Sequence, residues 1–208
     1  MKKYLVEFIG QFLFVITVGM VVIDPGIGSL APLAIGSVLM VLVYAGGHVS
    51  GGHYNPAVTL AVWLRGRCAT ADVPFYWLSQ ILGAFAASFV VLYLKDNPTV
   101  TPQEIKIVPA LIAEFIGTFA LCYVVLNVAT AKATAGNSNY GLAIGFTVVV
   151  MAFALGGISG GAFNPAIATG ITVMHREKIA NFWVYLVGDF AGAALAALAF
   201  KVINPEDK

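Results

Sequence analysis

Ser50-Gly51-Gly52-His53-Tyr54-Asn55-Pro56-Ala57 and Ser159-Gly160-Gly161-Ala162-Phe163-Asn164-Pro165-Ala166 are two copies of one pattern, 109 residues apart. Asn is a favoured helix N-cap and Pro a favoured first helical residue, so each copy ends by opening a helix. Both copies sit in long stretches without Asp, Glu, Lys or Arg, residues 25–64 and 133–175. A membrane span needs about 20 residues, so each stretch is too long for one span and cramped for two. Irregular backbone at membrane depth is tolerated only where protein or a water-filled cavity satisfies it. Each stretch therefore reads as a full helix, a glycine-rich re-entrant interruption (46–52 and 156–161) and a short helix (56–64 and 165–173). At 1.5 Å per residue a short helix is about 14 Å long, roughly half the membrane.

Outward from these copies the chain keeps repeating. Glu7-Phe8-Ile9-Gly10 matches Glu114-Phe115-Ile116-Gly117, and Gly83-Ala84 matches Gly192-Ala193. Further spans are predicted near 4–23, 74–94, 108–130 and 180–201. The fold class is thus all-α and membrane-embedded, with six transmembrane helices and two re-entrant half-helices in one domain, 1–208. Its halves are 1–100 and 108–203. Three crossings per half invert the second copy relative to the first, and interrupted segments at matching places point to a site at the membrane midplane.

Composition agrees. The chain is 60% hydrophobic and 10% charged, with a mean hydropathy of +0.90. So few charges cannot cover a soluble globule, which excludes a soluble enzyme, a nucleic-acid partner and a disordered chain. Cys68 and Cys122 lack metal-ligand spacing, and no metal or cofactor is expected. The start, Met1-Lys2-Lys3, resembles a signal peptide, but Glu7 and Gln11 interrupt it and it reads as the first span. Lys2, Lys3, Arg65, Arg67, Lys132, Lys201 and Lys208 fall on one face, against Lys95, Lys106, Arg176 and Lys178 on the other. This excess predicts cytoplasmic termini. Short loops without a glycosylation acceptor fit a prokaryotic plasma membrane.

In an inverted repeat the two Asn-Pro helix starts meet at mid-membrane. Each N-terminus carries roughly half a positive charge. An Asn oxygen can cap its own helix and leave the NH₂ to donate outward. Two such amides offer a neutral permeant hydrogen bonds, while two positive helix ends discourage cations. The residues point to a narrow passage for small uncharged molecules.

On its two Asn-Pro-Ala boxes, Asn55-Pro56-Ala57 and Asn164-Pro165-Ala166, its shared glycine loops, and the Glu near the start of each half, the chain resembles the major intrinsic protein family of aquaporins and aquaglyceroporins. The resemblance implies a pore in each subunit of a homotetramer, embedded in the lipid bilayer and open to water and small uncharged solutes. It carries the four positions of an outer selectivity constriction onto Ile35, Ala152, Gly161 and Ile167. Where the family has Arg after the second box, Ile167 stands here, which implies a wide apolar constriction. Arg176, about three turns farther along, is expected at the mouth and not as a substitute. Other markers divide: Tyr185 resembles water channels, Leu186 the glycerol-conducting branch, and Ala168-Thr169 lack the Asp of that branch.

The resemblance further implies that Glu7 and Glu114 buttress the re-entrant loops and that His48 lines the inner mouth. The repeat pairs Asp189 with Gln80. Tyr54 and Phe163 are expected to pack the half-helices together, and Gly10, Gly83, Gly117 and Gly192 to mark close helix crossings. The expected function is a passive channel for water and small neutral solutes of the glycerol, urea or ammonia class. A secondary transporter is the second reading, because transporters also use inverted repeats and broken helices. No nucleophile–base pair or metal cluster supports an enzyme.

Overall fold

Leu5, Leu78, Phe89, Val150 and Leu198 stand on the outside of the long helices, each more than half exposed. Apolar residues on the outer surface, with polar ones turned inward, mark hydrocarbon as the solvent. In a computed structural model, which describes residues 1–207 and leaves Lys208 outside, the chain forms eight helices. These are α1 (Lys2–Val22), α2 (Ala31–Ser50), α3 (Pro56–Leu64), α4 (Val73–Leu94), α5 (Ile107–Ala129), α6 (Tyr140–Ser159), α7 (Pro165–Val173) and α8 (Phe182–Ile203). No strand occurs among the described residues. Six helices are long and apolar enough to cross a membrane, while α3 and α7 have nine residues each. The protein is an integral membrane protein of all-helical fold.

Contacts between loops define two faces. On the terminal face, Lys3 pairs with Asp72, and Arg65, just after α3, donates to Asp207 at 2.6 Å. Lys132 N, after α5, donates to the same carboxylate at 2.7 Å. On the distal face, Lys95 Nζ bonds the carbonyls of Ile23 and Pro25, both at 2.7 Å.

Within each half the first and last long helices pack together, α1 on α4 and α5 on α8, and α2 meets α6 across the halves. Close approach needs residues without side chains. A Cβ on Gly83 would lie 2.6 Å from the Phe8 carbonyl, and one on Gly192 would lie 2.5 Å from that of Phe115. Gly36 and Gly145 do the same reciprocally for α2 and α6, each within 2.5 Å of the other's carbonyl.

Gly10 and Gly117 differ from expectation. They are notches for rings rather than helix crossings: a Cβ would lie 2.0 Å from Tyr54 at Gly10 and 2.2 Å from Phe163 at Gly117. The Tyr54 and Phe163 rings therefore lock each half-helix to the first span of its own half. The interruptions are also shorter than the sequence suggests. Helix α2 runs through Gly46-Gly47 to Ser50, and α6 runs through Gly156-Gly157 to Ser159. Only the second glycine pair of each copy leaves the helix. Gly51 and Gly52 have φ of +90° and +63°, and Gly160 and Gly161 have +93° and +66°, left-handed values that side chains resist.

Candidate functional site

Two carboxylates organise the re-entrant loops. Glu7 Oε1 accepts from Ser50 Oγ (2.7 Å) and His53 N (2.9 Å); its Oε2 accepts from Tyr54 N (2.7 Å) and Gln80 Nε2 (2.8 Å). Glu114 repeats this with Ser159 Oγ (2.5 Å), Ala162 N (3.1 Å) and Phe163 N (2.6 Å). Tyr54 and Phe163 hold left-handed φ of 44° and 48°. Such a conformation costs a non-glycine residue on the order of 1 kcal/mol, and the charge-assisted bonds from their N–H groups offset it.

With these N–H groups turned toward the glutamates, the carbonyls of Gly51, Gly52 and His53 accept no hydrogen bond among the described residues. Those of Gly160, Gly161 and Ala162 accept none either. Two short ladders of free acceptors therefore run toward the boxes.

The boxes themselves interlock. Asn55 Oδ1 caps α3, accepting from Ala57 N at 2.8 Å, while its Nδ2 donates to the Phe163 carbonyl at 2.8 Å. Asn164 Oδ1 caps α7, accepting from Ala166 N at 2.9 Å, and its Nδ2 donates to the Tyr54 carbonyl at 2.8 Å. Each amide has a second N–H, left for a molecule between the boxes. The half-helices meet by their N-termini and point away from each other.

A cavity of about 70 Å³ passes this meeting point. Its polar side is formed by Gly52–Asn55 and Gly160–Asn164, and its apolar side by residues such as Phe14, Leu39, Leu121 and Val148. Ile35, Gly161 and Ile167 line it; Ala152, one turn beyond Val148 on α6, does not. Toward the distal face it is lined by Gln103, Arg176 and Glu177. A wider vestibule of about 790 Å³ opens on the terminal face, lined by His48, Lys3, Arg67 and Cys68 among others. His53 and Val125 line both spaces, so the two abut there. The His53 ring is fixed by a 3.1 Å contact between Nδ1 and Thr59 Oγ1. No cluster of metal-ligating side chains occurs among the described residues.

The apolar wall is not singled out by the sequence. Its signal is present: Phe14, Val18 and Val22, then Ile144 and Val148, then Ile167 and Ile171 recur every four residues on α1, α6 and α7. In helices apolar on all sides that spacing does not separate a pore face from a lipid face. Gln103 lies in an irregular connection and carries no periodic signal.

Comparisons with known proteins agree with this architecture. The chain is 35% identical over 218 residues to "Glycerol uptake facilitator protein-like 6" of Lactiplantibacillus plantarum, covering 100% of both chains. It is 37% identical over 189 residues to "Aquaporin NIP1-1" of Zea mays, covering 88% of this chain and 64% of the maize protein, so it spans less than two thirds of that relative. The X-ray structure of the aquaglyceroporin from Plasmodium falciparum superposes with a TM-score of 0.82 at 23% identity, over 99% of this chain and 97% of that one, which supports the fold. The sequence profile described as "Major intrinsic protein" matches residues 1–200, and the chain belongs to the major intrinsic protein family.

Proposed function

We propose that this protein is a passive membrane channel for water and small neutral solutes of the glycerol, urea or ammonia class. One domain, built of inverted halves 1–100 and 108–203, encloses the pathway. The interlocked pair Asn55 and Asn164 carries the reading, because each amide keeps a free N–H at the meeting of two helix N-termini. Pro56-Ala57 and Pro165-Ala166 complete the boxes.

Energetics decide what such a passage admits. A neutral solute exchanges a few water hydrogen bonds, each worth about 1 kcal/mol net, for amides and free carbonyls. A bare monovalent ion faces a desolvation cost of order 20 kcal/mol in the idealised limit, and a cation also meets two positive helix ends. Ile35, Gly161 and Ile167, which line the cavity, are proposed to form a wide apolar constriction without Ala152, Glu7 and Glu114 to hold the loops, and His48 to line the inner mouth. A relative named for glycerol uptake supports a solute range beyond water. The excess of Lys and Arg on the terminal face supports cytoplasmic termini, and short loops without a glycosylation acceptor support a prokaryotic plasma membrane. Membership of the family supports a homotetramer.

Stopped-flow measurement on liposomes holding the purified chain tests the proposal. Water, glycerol and urea fluxes are expected to rise above bare lipid, without saturation and with low activation energy. Saturable flux driven by a proton gradient would overturn it in favour of a transporter.

A further inference from the structure

Ile167, only 4% exposed, lines the cavity directly after the second box, where the resemblance leads one to look for an arginine. Nine residues of straight helix would carry Arg176 about 13 Å beyond it. The chain does otherwise. Helix α7 stops at Val173, and His175 takes a left-handed φ of +59°. His175 N then bonds Thr172 O at 3.0 Å, and Arg176 N bonds Ile171 O at 2.8 Å. This paired reversal at a helix C-terminus folds the chain back over its own last turn. Ile167, Ile171 and Arg176 consequently line one cavity in succession.

Gln103 joins from the connection between the halves. Its N–H donates to the Arg176 carbonyl at 3.0 Å. Its side-chain oxygen would lie 3.7 Å from a Cβ on Gly160, so the carboxamide covers the second glycine loop. Gln103 lines the same cavity.

The neighbouring carboxylates are committed elsewhere. Glu177, 3% exposed, accepts from Lys178 N, Asn181 Nδ2 and Tyr185 Oη, each at 2.8 Å. Glu104 pairs with Lys178 at 2.5 Å. Among the described residues the Arg176 side chain makes no hydrogen bond or ion pair. Its charge and five donors are available to whatever occupies the distal mouth.

We propose that Arg176, with Gln103, is the specificity-determining pair of this channel, supplying from the loop after α7 the cation and donors that position 167 lacks. The inference rests on the channel reading above. The pair repels cations at the mouth and binds oxygens of neutral polyols or amides before they pass the apolar constriction. A displaced arginine leaves that constriction greasy, which favours solutes with a carbon skeleton over water alone.

Proteoliposomes of the full chain test this by glycerol-to-water flux ratio and by sodium leak under an imposed potential. Arg176→Gln is expected to raise the leak about tenfold and to shift the flux ratio several-fold, as loss of charge-assisted hydrogen bonds implies. Lys178→Gln removes an equal charge from the same face without touching the cavity and is expected to match wild type. Arg176→Lys keeps the charge and loses the planar fork, so leak stays low while the flux ratio shifts. It serves in place of Arg176→Gln if that variant does not fold. Wild-type leak and ratio in Arg176→Gln, or a wild-type ratio in Arg176→Lys, would overturn the pair's role. Wild-type protein that conducts no more than bare lipid would instead overturn the channel reading.

Discussion

Glu7 gathers four donors onto two oxygens inside a membrane helix. Glu7→Gln turns one acceptor oxygen into a donor that faces other donors. Buried hydrogen bonds to a charged group are worth about 1.5–3 kcal/mol each, so the variant is expected to lose about 3 kcal/mol or more. Thermal unfolding in detergent would register this as a lower midpoint, together with lost water flux. Asp189 offers the opposite case. It stands where the repeat places Gln80, whose amide donates to Glu7. Asp189 Oδ1 accepts from Thr118 at 2.8 Å, while Oδ2 accepts no hydrogen bond and the carboxyl lies beside that of Glu114. Asp189→Asn supplies the amide that the first half already uses, and its unfolding midpoint is expected to equal or exceed wild type. Both glutamates could be read from the repeat. Arg176 is expected at the mouth, but its fold-back over the last turn of α7 could not be read, because it depends on a left-handed turn at His175, and a histidine carries none of the C-cap signal that glycine would.

Among the elements, the half-helices are the most legible. Asn-Pro at each start and a turn after nine residues predict 56–64 and 165–173, the bounds of α3 and α7. The six spans were legible too, because lipid excludes charge from them. The first glycine pair of each copy misleads, since both pairs lie inside unbroken helices, and Gly46 serves a ring contact: a Cβ there would lie 1.9 Å from Tyr54 Oη. Composition alone does not separate a glycine that bends the chain from one that makes room. Gly117→Ala tests the second kind. Its methyl would press on the Phe163 ring, and overpacking costs about 1–3 kcal/mol. Pairing it with Phe163→Leu is expected to recover part of the unfolding midpoint. The same pairing with Leu121→Ala, on the next turn of α5, is expected to recover none.

At the scale of the whole molecule, one tail residue ties three elements together. Asp207 accepts from Lys132 N and Arg65, and the Arg65 guanidinium lies 4.4 Å from the centre of the Phe200 ring. The Lys132 N–H, and then Arg65, hold the Asp207 carboxyl below the usual carboxylate range. A depressed pKa contributes stability that is fully present above the unfolded value, about 3.9, and is lost as pH falls through the folded one. The tie is therefore expected to hold from pH 8 to pH 5 and to release in stronger acid. Thermal midpoints of wild type and Asp207→Asn should differ at neutral pH and draw together as pH falls below about 3.9.

The crossed amides of Asn55 and Asn164 have a consequence for biogenesis. Each half leaves its opposite number with an unfilled acceptor at the Phe163 or Tyr54 carbonyl until both are inserted. Neither half makes both crossed bonds alone, so docking of the two re-entrant segments is expected to be a late step of maturation. Fragments 1–100 and 101–208, made as separate chains in one cell, should each be degraded when expressed singly and rescue one another when expressed together.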